Sequence, residues 1–110
     1  MKKIKSIEEF EKLIKDKKNF IIYKHSSTCS LSAMAKVEVE KFERESSSST
    51  YPIYEVLVLE DRPISNYVAE KSKTVHQSPQ ILLFKDGTCR KDFSHRSVNA
   101  ATIERAIEHA

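Results

Sequence analysis

Apolar positions recur along the chain with two periods, and they alternate in a regular order. Ile7, Phe10, Leu13 and Ile14 follow one another at helical spacing. Ser6 with Glu9 three positions on forms a capping box ahead of them. This predicts an amphipathic helix ending near Asp16 to Lys18. Asn19 to Lys24 is a short apolar, β-branched and aromatic run, which reads as a buried strand. Residues 30 to about 45 hold no Gly or Pro and read as a second helix, with Met34, Val37 and Phe42 able to share a face. Ser46 to Thr50 reads as a short polar linker. Ile53 to Leu59 is a second buried strand, and Pro63 suits the first turn of a third helix reaching about Lys73. Gln80 to Phe84 is a third strand. Asp86-Gly87 is a strong hairpin signal, returning Cys89 to Phe93 as a fourth. Asn99 can cap a final helix through Ala110.

The predicted order is helix, strand, helix, strand, helix, strand, strand, helix. A helix between the first two strands makes them parallel. The last two form an antiparallel hairpin. The expected architecture is one α/β domain over residues 1–110, a mixed, mainly four-stranded sheet between two helical layers.

Composition narrows the function. The 110 residues are 39% hydrophobic and 32% charged, with one Gly and three Pro, which excludes disordered and fibrous classes. No apolar run is long enough to span a bilayer, and no secretory apolar stretch follows Met1-Lys2-Lys3-Ile4-Lys5. A cytoplasmic location without membrane contact is the expectation. The net charge of +3 is concentrated before residue 25, where eight Lys meet three Glu and one Asp. This is weaker than a nucleic-acid-binding face, so no nucleic-acid partner is expected. With no coiled-coil or repeat pattern, a monomer is expected.

Two cysteines, Cys29 and Cys89, make neither a disulfide scaffold nor a Cys-only zinc site. Cys29 follows a strand and opens a helix, whose N–H groups favour thiolate. Lys24 and His25 could add positive charge beside it. Ser32 stands where a Cys-x-x-Cys motif would place its second thiol, so the site is monothiol. Cys89 lies in the fourth strand, where regular alternation would put it on one face with Lys91. His25, His76 and His95 fall on loops, but their spacing is no metal signature, and no metal site is assigned.

Four motifs in order carry a resemblance. Lys24-His25-Ser26-Ser27-Thr28-Cys29-x-x-Ser32, Arg62-Pro63-Ile64-Ser65-Asn66-Tyr67, His76-Gln77-Ser78-Pro79-Gln80 and Ser94-His95 resemble the monothiol bacilliredoxin family over nearly the whole chain. The resemblance implies a thioredoxin-like fold and removal of bacillithiol from S-bacillithiolated proteins. No resident cofactor is implied; bacillithiol is a co-substrate. Cys29 would be the attacking thiol, supported by Thr28, Ser30, Ser32, His25 and Lys24. Pro79 would be a cis-proline beside it, with Ser78 presenting backbone groups to substrate. His95 and Arg96 would lie at the same edge, Arg96 suiting the carboxylates of bacillithiol's malate group. The family usually has Pro after the Cys, where this chain has Ser30. Two other readings use the same residues. One is a metal or iron–sulfur cluster carrier holding its cargo through Cys29. The other is a thioredoxin-like interaction protein with a vestigial thiol.

Overall fold

The computed structural model describes residues 1–46 and 50–110, so most of the predicted Ser46 to Thr50 linker lies outside the described residues. The elements are β1 (Lys2–Lys3), α1 (Ile7–Lys15), β2 (Phe20–His25), α2 (Ser30–Glu45), β3 (Ile53–Leu57), α3 (Arg62–Ser72), β4 (Gln80–Lys85), β5 (Thr88–Ser94) and α4 (Ala100–Glu108), with a 3₁₀ turn at His95–Ser97 before α4. Ser6 and Asn99 cap α1 and α4 through their side chains, accepting from the Glu9 and Thr102 N–H groups.

One sheet runs β1-β3-β2-β4-β5. β1 and β2 both lie parallel to β3, while β4 is antiparallel to β2 and to β5. Among the described residues the sheet holds the four expected strands and a fifth, β1. β1 is two exposed lysines, so no apolar pattern marks it; only its pairing with Tyr54 and Glu55 makes it a strand.

Strand alternation sends side chains into two cores. Ile21, Tyr23, Ile81 and Leu83 face α2 and α4; Phe20, Ile22, Leu82 and Phe84 face α1 and α3. In the second core Phe20 stacks on Phe84 at 4.5 Å, and Phe10 of α1 meets both edge-on. Full burial of such rings supplies most of the layer's cohesion.

Two expectations are corrected. The buried stripe of α2 is Ser32, Ala35, Val39 and Phe42, while Met34 and Val37 are 65% and 61% exposed. Helix phase explains this: positions 32, 35, 39 and 42 keep one face, and 34 and 37 turn away from it. Cys89 and Lys91 do not share a face either. A bulge shifts the β4–β5 register, so that Leu83 pairs with Lys91 but Phe84 with Cys89. Arg90 is the extra residue, and Cys89 turns to the α1/α3 core.

The hairpin itself forms as its sequence requires. Asp86 and Gly87 both have positive φ, 54° and 76°. A Cβ on Gly87 would sit 2.5 Å from the Ile14 carbonyl oxygen, so this turn also packs against the end of α1.

Candidate active site

β2 is buried along its full length and delivers the loop 26–29 at its C-terminal end. Cys29 is the N-cap of α2, half-buried, with extended backbone. No side-chain hydrogen bond closes this cap, so the first N–H groups of α2 act on the sulfur through their field. The thiol is held below its ordinary pKa, chiefly by the Ser32 N–H; burial opposes this, and the Leu31 N–H and Ser32 hydroxyl add to it. Thr28 and Ser30 are exposed on either side.

Ser32 is fully buried. Its Oγ accepts the Ser26 N–H at 3.2 Å, and its carbonyl accepts the Tyr23 hydroxyl at 3.0 Å. Tyr23 Oη also lies 2.8 Å from His25 Nδ1. A hydroxyl has one proton, so when Tyr23 donates to Ser32, His25 Nδ1 donates to Tyr23. Burial holds the His25 imidazole below its ordinary pKa, against the pull of Glu55. The resolving position is thus a strut that fixes the first turn of α2. Sequence reading missed Tyr23 because an aromatic in a buried strand signals only core.

The two basic residues expected to support the thiol take other roles. Neither Lys24 nor His25 is among the groups that shift Cys29. His25 is tied to Tyr23. Lys24, one position earlier in the strand, turns to the opposite face, where its Nζ donates to the Ser65 carbonyl at 3.0 Å.

The Ser78–Pro79 peptide is cis. Ser78 is half-buried and Pro79 buried, and the Pro79 carbonyl accepts the His95 N–H at 2.9 Å. His95 has φ of 58° and begins the 3₁₀ turn. It shares a cleft of about 480 Å³ with Arg96, Leu31 and Met34. Leu31 is two residues beyond Cys29, so this cleft opens at the first turn of α2. Glu38 on its wall accepts the Ala100 N–H at the start of α4.

Cys89 is half-buried, and burial, aided by Asp92, pushes its thiol up to about 11. At pH 7 that leaves roughly one thiolate in ten thousand. Among the described residues, no group of three or more His, Cys, Asp or Glu could hold a metal ion. No helix among them is long and apolar enough to cross a membrane.

A sheet of this order with a cysteine at the head of α2 defines the thioredoxin-fold class. Solved structures agree. A protein described as a candidate oxidoreductase with a thioredoxin fold superposes with a TM-score of 0.87 at 32% identity, covering 96% of this chain and 92% of its own. Thioredoxin of Malassezia sympodialis gives 0.80 at 19% identity, covering 99% and 89%. Mitochondrial thioredoxin 3 of Saccharomyces cerevisiae, in its oxidised form, gives 0.78 at 20%, covering 100% and 95%. The monothiol bacilliredoxin BrxC family pattern matches residues 2–103, and the chain belongs to that family. It is a thiol–disulfide oxidoreductase.

Proposed function

We propose that the protein removes bacillithiol from S-bacillithiolated protein cysteines through a mixed disulfide on Cys29. The observation that carries the reading is the Cys29 thiol, depressed by the N–H groups of α2, above a resolving position that holds a buried serine. The Cys29 thiolate attacks the bacillithiol sulfur of the modified protein. A new disulfide forms between Cys29 and bacillithiol; the old one breaks, and the protein thiolate leaves and takes a proton. Ser32 has no thiol to attack in turn. A second bacillithiol, as thiolate, then attacks the bound sulfur, releasing bacillithiol disulfide and the Cys29 thiolate. Bacillithiol is the two-electron reductant, and the protein cysteine is reduced.

On this reading Ser78, which precedes the cis-proline, would present its backbone to the substrate, and Arg96, which shares the cleft with Leu31, would offer a fork for a carboxylate. The partners on this reading are modified proteins and bacillithiol itself.

The test is intact mass after incubation with oxidised bacillithiol. The parent and Cys89→Ser gain one reversible adduct, and Cys29→Ser gains none. An adduct on Cys29→Ser, or none on the parent while ordinary disulfides react, overturns the reading.

A further inference from the structure

Lys24 is fully buried on the α1/α3 side of the sheet. Its Nζ donates to the Ser65 carbonyl in α3 and lies 3.1 Å from Nδ1 of His76. Among the described residues no carboxylate forms an ion pair with it. A buried cation without counter-charge burdens a fold, and groups perturbed in this way cluster at functional sites.

An ammonium only donates, so His76 Nδ1 is the acceptor, and neutral His76 carries its proton on Nε2. Ser65 Oγ, 3.3 Å from the same Nδ1, occupies that edge as well. His76 is itself exposed, which leaves Nε2–H as the donor available to a ligand. The imidazole is held below its ordinary pKa by burial, then Lys24, then Arg62, and no carboxylate opposes them. The loop is anchored: Gln80, also fully buried, donates to the Val75 carbonyl at 3.1 Å and accepts the Gln77 N–H at 3.3 Å. Ser78 follows His76 by two residues and Pro79 by three.

We propose that His76, backed by Lys24 and within the field of Arg62, is a subsite for a carboxylate of the small-thiol half of the mixed disulfide. The inference rests on the exchange reaction above and adds a contact for its substrate in the loop that leads into the cis-proline. A preorganised donor suits the small thiol, whose carboxylates lie at a fixed number of bonds from the reacting sulfur. The flanking residues of protein substrates vary.

The measurement is kcat/KM for release of a synthetic peptide thiol, with bacillithiol as reductant. The peptide carries either bacillithiol or cysteamine, which has no carboxylate, and is made with a neutral or an acidic residue beside its cysteine. In His76→Phe and Lys24→Met the bacillithiol-to-cysteamine ratio falls about tenfold, through KM, as expected for loss of one charge-assisted hydrogen bond. His76→Gln, which keeps an N–H donor, recovers part of the ratio. The exposed Lys12→Ala keeps the parent ratio. A ratio unchanged in both His76→Phe and Lys24→Met overturns the subsite. So does a loss that follows the peptide's acidic residue instead of the thiol. Failure of the parent to release either peptide refutes the exchange reaction itself, a separate result.

Discussion

Replacing Lys24 by Met keeps an unbranched side chain one atom shorter and removes its charge. In the folded protein burial lowers the Lys24 amine from 10.5 to about 8. That gap corresponds to roughly 3 kcal/mol by which the buried charge disfavours folding. Below about pH 8 both folded and unfolded chains hold the proton, and the penalty is complete. Between about pH 8 and 10.5 the unfolded chain binds more protons than the folded one, so the parent gains stability as pH rises. Lys24→Met carries no such penalty. It loses hydrogen bonds to Ser65 and His76, but the Ser65 carbonyl lies within α3 and keeps its helical partner. At pH 7 the variant should therefore be the more stable, by about 1–3 kcal/mol. That advantage should shrink by roughly 3 kcal/mol as pH approaches 10.5. Urea unfolding of both proteins between pH 7 and 10.5 reads the difference directly, because groups common to both cancel. A difference that stays constant across this window would show that the Lys24 charge is accommodated without penalty. The same variant should bind its small-thiol substrate less well, so stability and recognition oppose each other at this residue.

Other perturbations follow from the same contacts. Ser32→Ala removes the hydroxyl near Cys29 and the acceptor of the Ser26 N–H; the thiolate absorbance of Cys29 should then appear at higher pH than in the parent. An unmoved midpoint would remove the Ser32 hydroxyl, though not its N–H, from the electrostatics of the site. Tyr23→Phe leaves the Ser32 carbonyl and His25 Nδ1 without their buried partner and should cost about 1–3 kcal/mol in urea unfolding. Gly87→Ala forces a Cβ against the Ile14 carbonyl at positive φ; a loss of about 2 kcal/mol is expected, and a neutral result would mean that α1 and the hairpin can part freely. Phe10→Ala opens the aromatic layer between α1 and the sheet and should cost about 3–5 kcal/mol by thermal or urea unfolding.

The strands and helices were legible because their apolar periods are strong and their caps specific. Ser6, Asn99 and Asp86-Gly87 act through neighbours a few residues away, so local sequence suffices to place them. Where a residue's role depends on a distant partner, local pattern failed. β1 exists because Lys2 and Lys3 pair with Tyr54 and Glu55. Met34 and Val37 read as core by their chemistry. Yet Ser32, pinned by Tyr23 and Ser26, helps set the phase of α2 and leaves them in solvent. Bulging at Arg90 is invisible without its partner strand, and it decides which way Cys89 faces.

The candidate site divides along the same line. Sequence alone placed the lone thiol at a helix start, showed the missing second thiol and set the order of the motifs, since each is a matter of neighbours along the chain. Only the tertiary structure decided what surrounds them. Lys24 and His25 are adjacent in sequence and both basic, but a strand sends them to opposite faces. His25 joins the strut behind Ser32, and Lys24 lies under His76, fifty-two residues away. Packing of the sheet against two helical layers commits both to partners other than the thiol and leaves Lys24 without a counter-ion among the described residues.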